Sequence, residues 1–470
     1  MIKSLTEVGD MWINVKEKIP VAMTIAGSDS GGGAGIEADL KTFAALGVHG
    51  TVVLTSITAQ NTTAVIGVQD VALEIIEKQI DAVAEDIGVD AAKTGMLHTS
   101  EIIEVVAKKV KEHKFPLVVD PVMIAKSGAP LLKPEAVKTL IEVLIPLAEV
   151  VTPNVHEAEA LAGMRIKDLE SQKKAAKKIA ELGPRAVVVK GGHIEGEYSI
   201  DILFYDDNYY FFKALRISTK TTHGTGCGFS AAIAAELAKG SDVVTAVENA
   251  KKFITLAIKY GIPVGRGHGP INPLAILYKE SEKYNVWREV QDAVKIIEES
   301  RYVFKLIPEV GMNIAAAVPY ADSVEDIVGI PGRIRRAGKR ALAAHPPEYG
   351  GSSHLARYIL SILNHDHSKR AAINIKFDEK ALKRLKAKGF KVSYYDRRLE
   401  PPEVKEKEGA TIPWGVQQAI ENLGNIPDVI YHRGDWGKEP MIVILGKDAR
   451  LLAKLVVELA EELANEEATI

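Results

Sequence analysis

The residues best suited to chemistry form a glycine-rich stretch, residues 221–229, which reads TTHGTGCGF and runs into an alanine-rich helical pattern. Gly224 and Gly226 carry no Cβ, so the backbone N–H groups of this turn can approach an anion closely. A helix N-terminus adds unpaired N–H groups and favours negative charge. The stretch therefore predicts a site that stabilises a phosphoryl group during its transfer.

Cys227, the only cysteine of the chain, falls in the first turn of that predicted helix. A thiol in this position can have a lowered pKa and act as a base or nucleophile. The alternative is a small buried side chain with no chemical role. The glycine-rich neighbours favour the chemical role. A single cysteine also excludes an internal disulfide and fits a reducing compartment.

Composition limits the classes of function. The chain has 470 residues, enough for roughly two to four domains, and its 47% hydrophobic and 26% charged residues are typical of globular proteins. A net charge of −3 gives no electrostatic argument for a nucleic-acid or membrane partner. No apolar run reaches the roughly 18 residues of a membrane span, and the N-terminus lacks a signal-peptide core. We therefore expect a cytoplasmic protein.

The first half of the chain alternates strands with helices. After a polar extension, residues 1–19, the apolar run 21–26 predicts a buried strand that leads through the glycine-rich loop 27–35 into a helix. This layout is typical of nucleotide sites, although it matches neither the dinucleotide fingerprint nor the P-loop. A tight turn with spare glycine is the alternative interpretation.

Further strands and helices are predicted in regular order. The strands are expected at 51–57, 89–94, 117–120, 148–151 and 186–190, and the helices at 72–87, 99–113, 133–145 and 170–182. This alternation predicts a doubly wound, mainly parallel α/β sheet. Ligands bind at the carboxyl ends of such strands. The polar residues expected there include Gln60, Lys93, Asp120, Asn154 and Lys190.

The second half has a different pattern. Residues 276–300 suggest a charged helical linker between a domain at 20–275 and a second, smaller α/β domain at 301–470. The second domain is predicted from apolar runs at 314–318, 371–375 and 441–445 and from helices at 354–364, 379–388, 414–422 and 448–465. A charged, proline-bearing loop, residues 397–411, interrupts this pattern.

Residues 24–43, 60–62, 125–128 and 224–227 resemble the hydroxymethylpyrimidine/phosphomethylpyrimidine kinase of thiamine biosynthesis, a ribokinase-like fold. The resemblance covers about residues 20–275. It implies two successive phosphoryl transfers from ATP, first onto the hydroxymethyl group of 4-amino-5-hydroxymethyl-2-methylpyrimidine and then onto the monophosphate. It also implies Mg²⁺ and a homodimer. Pyridoxal kinase, a relative with the same fold, is the alternative, although residues 60–62 favour the pyrimidine enzyme.

The resemblance also implies residue roles. Gly224, Thr225 and Gly226 would cradle the transferring group, and Cys227 stands where most ribokinase-like enzymes place an aspartate base. The thiol would act as the base or only position the hydroxyl. The implied pyrimidine pocket consists of Gly27, Asp39, Gln60 and Met96. The implied ATP contacts are Asp120, Lys126, Asn154 and Lys190, with residues 126–128 as a flap and Glu157 as the Mg²⁺-linked position.

Residues 301–468 resemble the thiamine-phosphate synthase domain that is found fused to this kinase, mainly in archaea. The resemblance rests on residues 331–336, 350–357, 427–431 and 437–440. It implies that the pyrimidine diphosphate is coupled with thiazole phosphate and that pyrophosphate is released. Such a reaction needs cationic groups at the leaving diphosphate. The residues that we expect to supply them are Arg333, Arg335 and Arg336, with Ser352, Ser353 and a protonatable His354 at a helix start.

Other interpretations of this half remain open. The arginines could form a solvated basic face, and His354 could be a bystander at a helix cap. The domain could also sense thiamine phosphates without catalysis, since similar domains occur attached to DNA-binding regions. No basic helix-turn-helix pattern separates the halves, which argues against a regulator. The preferred hypothesis is a bifunctional enzyme whose ligands are small molecules.

Overall fold

Short apolar strands, buried on both faces, form the centre of the first unit. The computed structural model describes residues 19–123, 131–192, 194, 196–435 and 437–468, and it divides between Ile276 and Leu277 into two units. The predicted extension up to residue 18, Lys126 and the predicted flap lie outside the described residues. Within those residues, no helix combines the length and apolar character that a membrane span requires.

The elements of the first unit follow one another as strands and helices in near-regular order. Its strands are β1 (Val21–Ala26), β2 (His49–Leu54), β3 (Ser56–Gln60), β4 (Val65–Asp70), β5 (Ala91–Thr94), β6 (Leu117–Val119), β7 (Val150–Val151), β8 (Ala186–Val189), β9 (Tyr198–Tyr205) and β10 (Asn208–Leu215). Its helices are α1 (Gly35–Ala45), α2 (Leu73–Asp86), α3 (Ser100–His113), α4 (Pro134–Thr139), α5 (Val155–Ala162), α6 (Leu169–Ala180), α7 (Thr225–Ala238) and α8 (Val243–Lys259), and α9 (Ala275–Ser281) includes the unit boundary.

Eight of these strands form one sheet in the order β10-β9-β8-β7-β6-β5-β1-β2. The pairs from β8 to β2 are parallel, whereas β9 and β10 form an antiparallel hairpin at the edge. Separate apolar clusters cover the two faces, one containing Ile80 and Ile179 and the other containing Ala232 and Phe253. The predicted doubly wound, mainly parallel sheet is therefore confirmed.

The strand predicted at 51–57 is in fact two strands. β2 ends at Leu54, and β3 pairs only with β4 in a separate two-stranded sheet. Thr55 lies between them, and its backbone N–H and hydroxyl bind the carbonyl oxygens of Ala26 and Met96. These hydrogen bonds turn the chain out of the main sheet. Gln60 consequently lies at the end of a strand of this hairpin rather than at the end of a strand of the main sheet.

The second unit contains a mainly antiparallel sheet. Its strands are β11 (Ile314–Ala317), β12 (Ile327–Gly329), β13 (Ile334–Ala337), β14 (Arg340–Ala343), β15 (Glu348–Tyr349), β16 (Ala371–Lys376), β17 (Val392–Tyr394), β18 (Val429–His432) and β19 (Met441–Gly446). Seven of them form a sheet in the order β15-β12-β11-β16-β19-β18-β17, in which only β17 and β18 pair in parallel. The hairpin β13–β14 stands apart as a two-stranded sheet.

Helices complete this second, smaller α/β domain, which confirms its predicted class. They are α10 (Lys283–Glu299), α11 (Ser353–Leu363), α12 (Glu379–Ala387), α13 (Pro402–Glu406), α14 (Thr411–Leu423) and α15 (Ala449–Ala468).

The predicted linker at 276–300 is wrong, because α10 belongs to the core of the second unit. Val286, Val290 and Ile297 recur at helical spacing, and all are buried in one cluster with the strand residue Ile314. The buried Glu289 carboxylate also accepts the backbone N–H of Ala449, 2.8 Å away. Other charged residues of this helix, Arg288, Asp292, Lys295 and Glu299, are exposed, so α10 is an amphipathic helix.

This packing predicts where a separate second unit can begin. A fragment of residues 277–470 retains α10 and is expected to unfold cooperatively. A fragment of residues 301–470 lacks the apolar face of α10, and losing several buried side chains at roughly 1.5 to 3 kcal/mol each exceeds the stability of an ordinary domain. We expect it to be unfolded by circular dichroism. Cooperative unfolding of the shorter fragment would contradict the assignment of α10 to the core.

Candidate active sites

The carboxyl ends of the parallel strands open into one cavity of about 710 Å³ in the first unit. The predicted site residues that line it are Gly27, Gln60, Met96, Asp120, Asn154, Glu157, Lys190, Gly224, Thr225, Gly226 and Cys227. Residues from the hairpin β3–β4, from the segments that follow five strands of the main sheet and from the start of α7 thus meet at a single place. Positions separated by up to 200 residues form one site because parallel strands end at the same edge of the sheet.

Two glycine turns pack backbone to backbone at this cavity. Gly224, the N-cap of α7, has φ 78°, and a Cβ on it would lie 1.8 Å from the carbonyl oxygen of Gly33. Gly35 has φ 57°, and a Cβ there would lie 2.4 Å from the carbonyl oxygen of Gly27. Only glycine combines these conformations with this approach. The contact fixes the N-terminus of α7 against the loop that precedes α1.

A buried ion pair lies beneath the start of α7. Lys190 Nζ is 3.2 Å from Asp120 Oδ1, and Ser230 donates to Asp120 Oδ2 at 3.3 Å. A Cβ built on Gly226 would lie 3.4 Å from both Asp120 Oδ2 and Lys190 Nζ, so the start of α7 lies directly against the pair. Backbone N–H groups and an ammonium group therefore face the same region of the cavity.

The N-x-x-E arrangement of Asn154 and Glu157 has a structural explanation. The two residues form a capping box at α5: Glu157 N–H donates to Asn154 Oδ1 at 3.0 Å, and Asn154 N–H donates to Glu157 Oε2 at 2.8 Å. Burial raises the pKa of Glu157 to about 7 despite the nearby Lys190 ammonium. The box also orients the Glu157 carboxylate toward the cavity that Asp120 and Lys190 line.

Asp39 does not reach the cavity wall, in contrast to the contact with the pyrimidine that the resemblance implied. Its side chain is fully buried and accepts hydrogen bonds from Lys93 Nζ at 2.8 Å and Thr24 at 2.6 Å. Burial opposes the charge on Lys93, but the Asp39 carboxylate outweighs that effect and raises the pKa of the lysine. The pair neutralises two charges inside the protein next to Cys227.

The pKa of Cys227 is raised, whereas its position at the start of a helix predicted a lowered one. Burial raises the pKa of the thiol to about 11, and the attraction of the Lys93 ammonium is too weak to compensate. The thiol is therefore neutral at physiological pH. It can donate or accept a hydrogen bond, but it is not poised as a base in this state.

Sequence reasoning missed a second polar group in the cavity, formed by Asp29 and His223. Asp29 Oδ2 lies 2.8 Å from His223 Nε2, and Gln60 Nε2 lies 3.3 Å from the same nitrogen. Burial would raise the pKa of Asp29, but the hydrogen bonds from His223 and from the backbone of Gly31 and Ala34 lower it. Asp29 and His223 lie within the two glycine-rich stretches, but the sequence pattern assigned no role to either residue.

In the second unit, some of the predicted residues come together. Ser352 caps α11 by accepting the Leu355 N–H at 3.5 Å, and His354 lies in the first turn. Arg333 has φ 70° and donates from Nη1 to the carbonyl oxygen of Val310 at 2.9 Å. Arg333 is close enough to His354 to lower its pKa. Ser353, the first residue of α11, is exposed.

The three predicted arginines do not act as one group. Residues 335 and 336 are consecutive in β13, so their side chains project from opposite faces of the strand. Arg335 lies with Arg333 against Gly311, whereas the Arg336 guanidinium lies 5.2 Å from the ring of Phe304 and binds the Gly338 carbonyl oxygen. We therefore exclude Arg336 from the candidate site.

His354 is not protonated at neutral pH, contrary to expectation. Burial, followed by the charges of Arg333, Arg397 and Arg357, lowers the pKa of His354 to about 4. His432, at the end of β18, has its pKa lowered to about 4 by burial and by the same Arg397. Neither Arg397 nor His432 was identified from the sequence, because the first lies in a charged loop and the second in an unpredicted strand.

The geometry of the first unit is that of a phosphoryl-transfer enzyme: a glycine turn at a helix N-terminus stands over a buried Asp–Lys pair in an α/β cavity. Residues 29–272 match the family described as Phosphomethylpyrimidine kinase, and residues 289–458 match Thiamine-phosphate synthase ThiN. The chain belongs to the phosphomethylpyrimidine kinase family, and a ThiN domain follows the kinase domain.

Curated relatives agree with this assignment. The hydroxymethylpyrimidine/phosphomethylpyrimidine kinase of Bacillus subtilis is 50% identical over 256 residues, which are 54% of this chain and 94% of the relative. The same kinase from Haemophilus influenzae is 49% identical, covering 55% of this chain and 97% of the relative. The thiamine biosynthesis bifunctional protein ThiED of Geobacter sulfurreducens is 51% identical, but the match spans only 51% of that protein.

Solved structures confirm the ribokinase-like fold of the first unit. A pyridoxal kinase of Bacillus subtilis in complex with ADP is 44% identical, with a TM-score of 0.52, 55% of this chain and 99% of that chain covered. A pyridoxal kinase of Staphylococcus aureus, with AMP-PCP and pyridoxal, is 37% identical, with a TM-score of 0.51 and 54% and 93% covered. The chain is thus a transferase of thiamine biosynthesis that combines an ATP-using kinase domain with a synthase domain.

The backbone contact at Gly224 gives a direct test of the site. Gly224→Ala adds a Cβ that collides with the Gly33 carbonyl oxygen, so we expect kinase activity to fall roughly 100-fold or more. Gly240→Ala is the matched control, because Gly240 also has positive φ (87°) but has open space around it. Its expected cost is about 1 kcal/mol of stability, with normal kinase activity. Equal activities of the two variants would contradict the argument.

Proposed function

We propose that the first unit phosphorylates 4-amino-5-hydroxymethyl-2-methylpyrimidine and then its monophosphate, both in the 710 Å³ cavity. The observation that carries the proposal is the common location of two different sets of residues. The turn at Gly224 and the Asp120–Lys190 pair suit a transferring phosphoryl group, and Gln60 and Met96 suit an aminopyrimidine ring. One cavity can serve both steps because only the acceptor changes, from a hydroxyl to a phosphate.

The proposed roles follow from the contacts. The backbone N–H groups at Gly224, Thr225 and Gly226 stabilise the transferring phosphoryl group, while Lys190 neutralises charge on the triphosphate. Gln60, whose Nε2 lies 3.3 Å from His223 Nε2, binds the ring edge through its amide, and Met96 packs on the ring beside Gly27. Cys227 positions the acceptor hydroxyl as a neutral thiol. A proton can leave late in such a transfer, so a strong base is not required.

The acidic side chains of the cavity suit Mg²⁺. Glu157 and Asp120 supply carboxylate oxygens, the ligand type that this ion prefers, and Asn154 holds Glu157 in place through the capping box. When bound, Mg²⁺ would neutralise phosphate charge.

We also infer that the protein acts in the cytoplasm, as its composition predicts, and that it forms a homodimer, as the kinase resemblance implies.

Pyridoxal is the second candidate substrate of the first unit. The pyridoxal kinases of Bacillus subtilis and Staphylococcus aureus have the same fold at 44% and 37% identity. Pyridoxal offers a ring nitrogen and a hydroxymethyl group to a similar cavity. The curated kinases for the pyrimidine are more similar in sequence, at 50% and 49% identity, and favour the pyrimidine.

The second unit is proposed to couple the pyrimidine diphosphate with thiazole phosphate. The C–O bond to the diphosphate breaks and its electron pair leaves with pyrophosphate, while a lone pair of the thiazole nitrogen forms the new C–N bond. Arg333 and Arg335 stabilise the leaving charge, and the N-terminus of α11, with Ser352, Ser353 and His354, adds N–H donors. The alternative is a domain that binds thiamine phosphates without catalysis.

One assay tests both activities. The purified chain is incubated with the hydroxymethylpyrimidine, ATP, Mg²⁺ and thiazole phosphate, and each product is followed by mass. We expect thiamine phosphate, with the pyrimidine mono- and diphosphates as intermediates, and a lower kcat/KM for pyridoxal than for the pyrimidine. Diphosphate that accumulates without coupling would support the sensing alternative. A preference for pyridoxal would refute the proposed kinase substrate.

Variants of the second unit separate its role from that of the kinase. Arg333→Ala and His354→Ala should each lower coupling roughly 100-fold or more, because each removes a polar group that contacts the leaving diphosphate. Kinase activity should remain. Arg336→Ala serves as the control, since this arginine lies over Phe304 on the other face of β13 and its loss should not change coupling. Normal coupling by a folded Arg333→Ala or His354→Ala variant would refute that residue's role.

A further inference from the structure

Arg397 is a largely buried arginine whose hydrogen-bonding groups are unused. It begins a short 3-10 turn, Arg397–Leu399, after β17, and its side chain is only 16% exposed. Its Nε is buried without a hydrogen-bond partner. Across the residues that the structure describes, its guanidinium donates no hydrogen bond, and its single ion pair, to Glu400, is long at 3.9 Å.

Such an arrangement is costly unless a ligand completes it. A guanidinium has five N–H donors, and burying even one of them, here Nε, without an acceptor raises the free energy of the folded protein. Native proteins therefore satisfy nearly all such groups. Glu400 does not accept a hydrogen bond from Arg397, because its Oε2 lies 3.9 Å from Arg397 Nη2. The Oε1 atom of Glu400 is also buried without a partner. An anion with oxygen acceptors would supply the partner that Arg397 Nε lacks.

The surroundings of Arg397 are those of the proposed coupling site. The His354 ring lies 5.4 Å from the ring of Tyr358, whose hydroxyl is 2.9 Å from that of Tyr395. The Tyr395 ring in turn lies 5.2 Å from the ring of His432. Arg397 follows Tyr395 by two residues and lies close enough to both histidines to lower their pKa values.

Positive charge therefore dominates this part of the second unit. Arg333 and Arg357 also lower the pKa of His354. The acidic side chains beside this cluster are Glu400, 3.9 Å from Arg397, and Glu439, which acts on Arg333, so the three arginines outnumber them. Burial, and after it the surrounding arginines, keeps both histidines neutral, so the positive charge of this region resides on the arginines. A bound phosphate would offset the arginine charges and would satisfy the free donors of Arg397.

We propose that Arg397 binds a phosphate group of a substrate of the coupling reaction. The proposal rests on the synthase function proposed above and adds a residue to it. Coupling needs two phosphate-bearing substrates, a diphosphate ester and a monophosphate ester, and therefore more than one anion contact. Arg333, before β13, and Arg397, after β17, come from separate elements and supply contacts from two parts of the chain.

Calorimetric titration of the full chain with inorganic pyrophosphate and with inorganic phosphate tests this binding without turnover. Arg397→Met keeps the length of the side chain and removes its charge, and we expect anion affinity to fall roughly 10- to 100-fold. Arg398→Met is the matched control. Arg398 is in the same turn but is 77% exposed and paired with Asp396 at 2.6 Å, so its loss should leave anion binding and kinase activity unchanged.

Steady-state kinetics of coupling identify which substrate Arg397 contacts. A raised KM for the pyrimidine diphosphate alone assigns Arg397 to the diphosphate, and a raised KM for thiazole phosphate alone assigns it to the monophosphate. Arg397→Lys keeps the charge but not the planar fork, so its KM should lie between those of Arg397→Met and the wild type. Because the ion pair between Arg397 and Glu400 is long, at 3.9 Å, its removal in the methionine variant should change the Tm little.

Unchanged anion affinities and unchanged KM values in Arg397→Met would overturn the proposal. A lowered Tm with unchanged KM values would overturn it as well, by showing a structural role. Failure of the synthase function is a separate result. If the wild-type chain bound pyrophosphate through Arg397 but produced no thiamine phosphate, the coupling function would be refuted and the anion site would remain.

Discussion

The first active site depends on one contact, the approach of the Gly224 backbone to the Gly33 carbonyl oxygen. This contact joins two loops that are almost 200 residues apart and fixes the N-terminus of α7 over the Asp120–Lys190 pair. The hydrogen bond between Asp29 and His223 crosses the same junction and adds a second connection. Backbone N–H groups can therefore stabilise a transferring phosphoryl group without reorganisation, which is the main requirement of this chemistry.

The two units handle phosphate by different physical means. The kinase unit uses a parallel sheet, whose strand ends and helix N-termini direct backbone N–H groups into one cavity. The second unit has a mainly antiparallel sheet, which offers no comparable row of helix starts, and the phosphate contacts proposed for it are arginine side chains together with the N-terminus of α11. Arginine suits that task because its planar fork matches phosphate oxygens and its charge survives burial. Burial and the arginines together keep the histidines there neutral.

Much of the first unit could be predicted, because strand ends in a parallel sheet converge whatever the details of packing. Gln60, Lys190 and Gly224 reach one cavity for that reason, even though Gln60 arrives by a hairpin. Other features depend on tertiary partners that spacing does not reveal. The ion pair between Asp39 and Lys93 removes Asp39 from the cavity wall, and burial reverses the expected pKa shift of Cys227. The opposite orientations of Arg335 and Arg336 could not be predicted, because β13 was not predicted from the sequence. The place of α10 in the core could not be predicted either, because it depends on the partners of its buried face.

Arg333 adopts a left-handed backbone conformation, with φ 70°, directly after Gly332 at φ 71°. For a residue with a Cβ, that conformation costs about 1 kcal/mol, whereas glycine adopts it freely. Evolution toward stability alone would therefore replace this arginine with glycine or asparagine. A thermostability screen of the second unit that ignores activity should enrich such replacements, and the stabilised proteins it selects would have lost the guanidinium of the proposed coupling site.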